Sequence, residues 1–386
     1  MANTLPALIA RRISEDYIAN GRISPGGQLP SVRELQAQYD VSSTTIVNAL
    51  SVLAAQGLVQ KQHGRGTFVT ERSAANSGKQ LNAVGFVVPA AVSVGCLMSI
   101  YAGVERAGRK HGWDVLLATA DYNYETERQQ VARLIQAGCR GIVLNPVTRM
   151  RTQLRDDYLK TEFRDFPIVL VDIAYPEQAR SQVVFDNYRA GYDMTEFLLS
   201  EGHRRIAFID AEFPQGGEPM HRSTHERLRG YRDALRAAGI ASRATDHWRM
   251  HLIVDEHEDE AESLLLKWKD MKDRPTAVIA LHDGSALDLV HAARALGYDV
   301  PEELRVVGFD NLGFGRSGRP LFPTTDPDFG RAGEIAVELL AQHMRGELDG
   351  SVVYMLPVPL RTDTGEIRKV AEAEAVGSRP RAPKPL

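Results

Sequence analysis

Short apolar runs, each followed by an amphipathic helical stretch, recur along most of this chain and restrict the folds open to it. The runs lie at residues 83–88, 115–118, 141–144, 168–171, 205–209, 277–280 and 306–309. Strands that alternate with helices pair in parallel through right-handed crossovers. Because this region is too long for one comfortable sheet, the pattern predicts an α/β fold with parallel sheets in two lobes.

A different pattern precedes these runs. Residues 72–82 are rich in Ser, Ala, Asn and Gly and contain one large apolar side chain, Leu81, as is typical of a flexible connector. The last stretch, 367–386, has few large apolar residues and ends among prolines and basic residues, which predicts disorder. We therefore expect a domain at 1–72, a linker at 73–82, a two-lobed domain at 83–366 and a disordered tail.

The first domain has the pattern of a winged helix-turn-helix. Apolar residues on one stripe predict a helix over 6–20. Ser31 with Glu34 forms a capping box for a second helix, and Ser42 or Ser43 caps a third that ends near Gly57. Residues 58–69 alternate, turn at glycine and alternate again, which predicts a β-hairpin wing.

In such a module the last helix enters the DNA major groove and its first residues meet base edges. This geometry selects Ser42, Ser43, Thr44 and Asn48 as readers of operator DNA. In the wing, Gly64 lets the backbone approach DNA, and Arg65 can enter a minor groove or pair with a phosphate.

Four stretches of this domain resemble the GntR family: LPSVREL (29–35), VSSTTI (41–46), LAAQGLV (53–59) and HGRGTFV (63–69). The resemblance implies DNA contacts at Arg33, Ser43, Thr44, His63 and Gly64. Many relatives have Arg where this chain has Ser43, and again near Val47, so we expect weaker or differently specified DNA binding. The domain has seven basic and five acidic residues.

Ligands of open parallel sheets bind beyond the carboxyl ends of the strands. Residues 94–97, which include Val94 and Cys96, follow one apolar run, and Asn145, Asp172, His282 and Asp310 each follow another. Because such side chains offer several hydrogen-bonding groups, they favour a polyhydroxylated small molecule.

The region 81–364 resembles the LacI/GalR regulators and, more remotely, periplasmic sugar-binding proteins. The matching stretches are AVGFVVP (83–89), GCRGIVLNP (138–146), FPIVLVD (166–172), VVFDNYRAG (183–191), GHRRIAFI (202–209), RLRGYRDAL (227–235) and VVGFDN (306–311). The resemblance implies that Asn145, Asp172, Arg227, His282 and Asp310 face an effector, which would be a sugar or a derivative. A GntR-type head on a LacI-type sensor is the combination found in arabinose-type repressors.

The sequence therefore predicts a transcription regulator, a repressor with a sugar-like effector, that acts as a homodimer on pseudo-palindromic operator DNA. The net charge of −4 restricts DNA contact to a local patch. Two cysteines without a disulfide or metal-ligand pattern, and the absence of a signal peptide or membrane span, favour the cytoplasm and no membrane contact. We predict no catalytic residue, no metal and no cofactor.

Two alternatives belong to other classes. Some GntR-headed proteins carry an aminotransferase-like enzyme that uses pyridoxal phosphate, but this needs a longer chain and a Schiff-base lysine in a recognisable signature. Residues 83–364 contain few lysines and none in such a signature. A solute-binding transport component is disfavoured by the head and by the lack of a signal peptide.

Overall fold

The structure is a computed structural model of the whole chain. It describes residues 5–19, 22–24, 26–55, 58–62, 65–70, 81–90, 95–149, 151–173, 175, 178–212, 222–251, 257–313, 315, 319–348, 350–368 and 375–376. Its contacts divide the chain into two compact units. The first comprises residues 1–83 and 132–140, and the second comprises residues 84–131 and 141–386.

Helices form the core of the first unit. They are α1 (Leu5–Ile13), α2 (Val32–Tyr39) and α3 (Ser43–Ala55), with a π-helical stretch at Ser14–Ala19 that continues α1. The predicted stripe is buried: Ile9, Ile13, Tyr17 and Ile18 pack with Leu35, Ile46, Leu50 and Leu53. The predicted helix at 6–20 is therefore present, but it changes from α to π hydrogen bonding after Ile13.

Both cap signals of the helix-turn-helix are confirmed. The Glu34 amide donates to Ser31 Oγ over 3.3 Å, and the Ser31 amide donates to Glu34 Oε2 over 2.7 Å, so the capping box is closed. At the start of α3 the Thr45 amide donates to Ser42 Oγ over 3.2 Å, which makes Ser42 the cap. Asp40 adopts a left-handed conformation with φ 51° in the turn between the helices.

The predicted wing is an antiparallel hairpin of β1 (Val59–Gln62) and β2 (Gly66–Val69), in which Gln62 pairs with Gly66. Gly66 has φ 116°, a conformation that L side chains rarely adopt, and the Gln28 side chain occupies the place of a Cβ there. His63 and Gly64, two of the predicted DNA contacts, lie outside the described residues.

The first lobe of the second unit contains a seven-stranded sheet in the order β16-β13-β7-β6-β5-β3-β4. Its strands are β3 (Ala83–Val88), β4 (Asp114–Thr119), β5 (Ile142–Leu144), β6 (Ile168–Asp172), β7 (Gln182–Phe185), β13 (Val353–Leu356) and β16 (Ala375–Val376). Adjacent strands from β3 to β13 are parallel, whereas β16 is antiparallel to β13. Its helices are α4 (Gly95–Lys110), α5 (Tyr124–Gln136), α6 (Arg151–Arg155), α7 (Tyr158–Thr161) and α12 (Phe329–Arg345). The last residues of α5, 132–136, are assigned to the first unit.

The second lobe contains a parallel four-stranded sheet in the order β11-β10-β8-β9. Its strands are β8 (Ile206–Glu212), β9 (His247–His251), β10 (Ala277–Ile279) and β11 (Arg305–Val307). The helices are α8 (Asn187–Ser200), α9 (Arg222–Ala237), α10 (His257–Lys269) and α11 (Asp283–Ala295), and a 3-10 turn lies at Ala244–Asp246.

Alternation along β8 shows how this sheet is covered on both faces. Ile206 and Phe208 pack in the apolar cluster that includes Tyr231 of α9, whereas Ala207 and Ile209 pack in the cluster that includes Trp268 of α10. Successive side chains of a strand point to opposite faces, so each face is buried under its own helices. The predicted α/β fold with parallel sheets in two lobes is confirmed.

Backbone hydrogen bonds join segments that connect the lobes. The Asp186 amide donates to the Leu356 carbonyl over 2.9 Å, and the Asp326 amide donates to the Pro359 carbonyl over 2.8 Å. Beside them a small antiparallel sheet has the order β12-β14-β15, from Thr324–Thr325, Leu360–Arg361 and Ile367–Arg368.

Two short strands, β15 and β16, lie within residues 367–386, the stretch for which the sequence predicts disorder. Residues 367–368 pair with β14, and residues 375–376 pair with β13. These four residues pair at sheet edges although the stretch has few large apolar side chains, and disorder of the tail stays a prediction. The rest of the tail lies outside the described residues. Among the described helices, none has the length and apolar character needed to cross a membrane.

Candidate DNA-reading helix and effector site

The exposed face of α3 is made of neutral side chains. Ser43, Thr44, Val47, Asn48 and Ser51 are all exposed and follow the spacing of one helical face, and α3 has no charged residue. Three of the predicted readers, Ser43, Thr44 and Asn48, therefore lie together. The fourth, Ser42, precedes them, and its hydroxyl caps the helix and lies 2.8 Å from Thr45 Oγ1.

Two predicted DNA-contacting arginines lie on other elements of the first unit. Arg33 is exposed on α2, and Arg65 is exposed next to β2. The Gln28 side chain donates to the Arg65 carbonyl over 2.8 Å, and the Arg65 guanidinium lies 6.0 Å from the centre of the Phe68 ring. The Gln28 contact ties the residue before β2, in the turn of the wing, to a segment that precedes α2.

In the second unit, the predicted strand-end residues are Asn145 after β5, Asp172 at the end of β6 and Asp310 after β11. Asn145 Nδ2 donates to Asp172 Oδ2 over 3.5 Å. Asp172 and Asp310 have φ values of 73° and 92°, a strained backbone for residues other than glycine that is found most often at functional sites. Asn145 is 1% exposed, and its Oδ1 has no hydrogen-bond partner in the described structure.

Arg227 of α9 holds Asp310 through a network of hydrogen bonds in the second lobe. Its Nε donates to Asn187 Oδ1 over 2.8 Å, its Nη1 to the Leu281 carbonyl over 3.1 Å, and its Nη2 to Asp310 Oδ1 over 3.3 Å. The guanidinium also lies 4.1 Å from the centre of the Phe309 ring. This fork is rigid, because every branch of the guanidinium is held.

A glycine of the neighbouring helix positions that arginine. The helices α8 and α9 cross so closely that a Cβ on Gly191 would collide with the Arg227 carbonyl oxygen. Gly230 meets the Tyr188 carbonyl in the same way. The backbone of Arg227 is therefore fixed by packing that no larger residue at these two positions allows.

Burial raises the pKa of Asp172 to about 6, and the negative charge of Asp310 adds to the rise, while Arg227 and Asn145 oppose it. Burial together with the charges of Asp310 and Asp172 also raises the pKa of the Cys96 thiol, which stays protonated at neutral pH. The charge of Asp310 acts on both Asp172 and Cys96, so these three side chains lie close to one another.

A cavity of about 590 Å³ adjoins this site and has the size of a small-ligand pocket. Its wall includes two predicted residues, Cys96 and Asp310. The other lining residues are Gly95, Ser99, Asn311, Leu312, Gly313, Asp326, Pro327, Asp328, Phe329 and Gly330. Val94, a further predicted contact, lies outside the described residues.

His282 has a structural contact that the sequence reasoning did not predict. Its Nδ1 accepts a hydrogen bond from the Ser285 amide over 3.1 Å, and the Ser285 hydroxyl accepts one from the His282 amide over 3.1 Å. This pair caps α11. Contact of His282 with an effector stays a prediction.

Three polar residues at the site were missed. Asn187 holds Arg227, Asn311 donates to Asp326 Oδ1 over 2.7 Å, and buried Asp283 accepts from the Leu312 amide over 2.9 Å and from Thr324 Oγ1 over 2.6 Å. Burial raises the pKa of Asp283 to about 7. The rule that selected strand ends could have found all three, because they follow β7, β11 and β10.

A buried ionic cluster holds the loop after β5. Arg149 is fully buried; its Nε donates to Asp157 Oδ2 over 2.8 Å, and its Nη2 pairs with Glu127 Oε1. The Arg149 amide donates to the Tyr175 hydroxyl over 2.8 Å. Since the same loop begins with Asn145, this cluster fixes the position from which Asn145 reaches Asp172.

Comparison with known proteins agrees with both units. Residues 7–69 match the model of the bacterial regulatory proteins of the gntR family, and residues 195–361 match that of the periplasmic binding protein-like domain. Two relatives are each named arabinose metabolism transcriptional repressor. The one from Geobacillus stearothermophilus is 26% identical over 91% of this chain and 95% of its own, and the one from Halalkalibacterium halodurans is 28% identical over 76% and 77%.

A solved structure, a putative ribose operon repressor from Burkholderia thailandensis, is 26% identical and has a TM-score of 0.62, covering 73% of this chain and 99% of that one. Together with the fold, these likenesses define the chain as a DNA-binding transcription regulator and not an enzyme. It combines a GntR-type helix-turn-helix with a periplasmic-binding-protein-like domain, as the sequence predicts. Operator DNA and a small-molecule effector are the partners that these two domains imply.

Proposed function

We propose that this regulator is a repressor whose effector is a sugar or a close derivative, bound between Arg227 and the carboxylates of Asp172 and Asp310. The fork of Arg227 carries the proposal. It presents fixed donors beside two acceptors, and the unpartnered Oδ1 of Asn145 adds a third acceptor. Hydroxyl groups donate and accept at once, so a polyol satisfies such a mixed set.

The names of the relatives support a pentose as the first candidate, because they refer to arabinose and ribose. In this proposal Cys96, Val94 and His282 complete the wall of the site. The apolar ring of Phe309 holds the guanidinium from the side, so Arg227 can exchange its bond to Asp310 for one to the ligand without losing its position.

The DNA half of the proposal is a cytoplasmic homodimer on a pseudo-palindromic operator. Two α3 helices would enter successive major grooves, with Arg33, Arg65, His63 and Gly64 at the flanking backbone or minor groove. The domains are 1–72 and 83–366, joined by the linker 73–82. Effector binding brings the two lobes together and shifts the dimer to a form with weaker DNA affinity.

A thermal-shift screen of the full chain with pentoses, hexoses, sugar acids and sugar phosphates tests the effector half. A ligand that binds the folded form raises the unfolding temperature. We expect a hit with the wild type and none with Arg227→Ala. A matched control is Arg229→Ala on the same helix, whose guanidinium bridges Glu226 instead. A hit that Arg227→Ala keeps at full size would contradict the proposed site.

Gel retardation with the upstream region of the gene tests the DNA half. Retardation that the screened ligand relieves is the expected result. No retardation in either condition would remove the operator-binding proposal, while retardation without relief would remove only the direction of the response.

A further inference from the structure

The exposed face of α3 contains one apolar side chain, Val47. It is 42% exposed and lies among Ser43, Thr44, Asn48 and Ser51, which are exposed hydroxyl and amide residues. A single exposed valine is ordinary on a protein surface. Its position is what counts here, because it is the fifth residue of α3, in the first half of the helix that a helix-turn-helix places against base edges.

The Val47 carbonyl accepts a hydrogen bond from the next helical turn, and the residue that donates it is itself engaged. Ser51 Oγ donates to the Val47 carbonyl over 2.8 Å, and Lys61 Nζ of β1 donates to Ser51 Oγ over 2.9 Å. Ser51, one helical turn after Val47, and Lys61 are therefore hydrogen-bonded to each other. A valine in a helix has one preferred side-chain rotamer, so its methyl groups point in a defined direction.

The apolar side chain of Val47 has one apolar counterpart in the major groove. Bases present donors and acceptors there, and thymine also presents a 5-methyl group. A valine can form no hydrogen bond with a base edge or a phosphate, so its favourable contact is apolar. Asn48, the next residue on this face, has the amide that pairs bidentately with adenine N6 and N7.

We infer that Val47 reads a thymine 5-methyl group in each operator half-site, beside an adenine read by Asn48. This inference rests on the proposed operator binding by α3. It assigns specificity to a position that the sequence reasoning treated as the loss of an arginine. The half-site therefore contains adjacent A·T pairs at the centre of the α3 footprint.

The experiment begins with selection of bound sequences from randomised DNA duplexes by the full-length protein. Each thymine of the selected duplex is then replaced singly by deoxyuridine, which removes the 5-methyl group and leaves the hydrogen-bonding edge unchanged. Affinity is measured by fluorescence anisotropy at fixed salt. One substitution per half-site should weaken binding about fourfold, the effect of one apolar carbon group removed from contact.

The Val47→Ala variant tests whether Val47 makes the methyl contact. This variant should bind the thymine and deoxyuridine duplexes with equal affinity, while its unfolding temperature and salt dependence stay at the wild-type values. Thr44→Ser is the matched control, because it removes the other methyl group on this face and leaves the hydroxyl. Because Thr44 is itself a predicted DNA contact, the overall operator affinity of this variant is not the readout; the fourfold discrimination between thymine and deoxyuridine should stay.

Several results would overturn the inference. The inference is wrong if no thymine is found whose demethylation weakens binding, or if Val47→Ala retains the discrimination. Loss of discrimination in Thr44→Ser alone would assign the methyl contact to Thr44. Failure of the wider operator-binding proposal is distinct from these, since no duplex would then be enriched at all.

Discussion

Helix α3, which we propose reads DNA, and the proposed effector site differ in the chemical groups that they present to their ligands. The face of α3 has neutral hydroxyl, amide and methyl groups in contact with water, whereas the effector site has Arg227, Asp172 and Asp310 where water is largely excluded. If α3 reads DNA as proposed, charge-based affinity for DNA must come from residues outside the helix, and the helix itself would supply discrimination between bases. In the proposed effector site the same charges would supply both affinity and selectivity, and their removal would leave buried groups unpaired.

The largest effect should follow from the buried cluster beside the effector site. Arg149→Leu leaves Glu127 and Asp157 as buried carboxylates without their cation, and breaking such a pair costs about 3–5 kcal/mol. We expect chemical denaturation to show this loss in the second unit. Arg128→Leu, which removes exposed pairs with Glu125 and Glu162, should cost below about 1 kcal/mol. Equal losses would show that burial is not the cause.

Arg227→Ala should weaken effector binding by about 2–5 kcal/mol, because Asp310 then loses its charged partner in a mostly buried site. Calorimetric titration of the ligand found by thermal shift measures this. Operator affinity without effector should stay at the wild-type value. A loss of DNA binding in the ligand-free variant would contradict the separation of the two regions.

Arg33→Ala tests the other side of the comparison. If Arg33 contacts a base, operator binding weakens by about 1–3 kcal/mol and selectivity relaxes at that position. Effector affinity should not change. Arg12→Ala, an exposed arginine on α1, is the control. An unchanged operator affinity removes Arg33 from the DNA contacts.

The smallest effect is a pH dependence confined to the sensor. The raised pKa of Asp172, about 6, means that the carboxyl is ionised at pH 7.5 and protonated at pH 5, where it accepts fewer hydroxyl bonds. Effector affinity should therefore fall about tenfold between these values. Asp172→Asn should bind more weakly at pH 7.5 and show a flatter profile. Base discrimination by α3, which has no titratable side chain, should not change.

The raised pKa of Asp172 also affects the free energy of unfolding, and here the trend with pH is opposite to that of effector affinity. Folded Asp172 holds its proton more tightly than at its ordinary pKa of 3.8, so the folded state binds more protons between pH 4 and 6. Its ionisation destabilises the ligand-free sensor as pH rises through this range. Thermal unfolding of Asp172→Asn should lack this component, whereas an identical pH profile in both proteins would contradict the raised pKa.

The architecture could be predicted from the sequence because hydrophobic periodicity and helix caps are signals that lie within a few neighbouring residues. The capping box at Ser31, the hairpin at Gly66 and the apolar strands all have signals within a few residues. The strand-end rule also selected Asn145, Asp172 and Asp310. By contrast, the cluster around Arg149 joins residues far apart in the chain, and no local pattern distinguishes a buried arginine from an exposed one. His282 was predicted to contact the effector because it follows an apolar strand. Its role as the cap of α11 depends on Ser285 and on the geometry of that helix.

Operator affinity of the wild type and of Arg227→Ala, each with and without saturating effector, tests the central claim most directly. We expect both proteins to bind the operator equally well without effector, and only the wild type to release it when the effector is added. The account is contradicted if a ligand that stabilises the wild type leaves its operator affinity unchanged, or if Arg227→Ala responds as the wild type does.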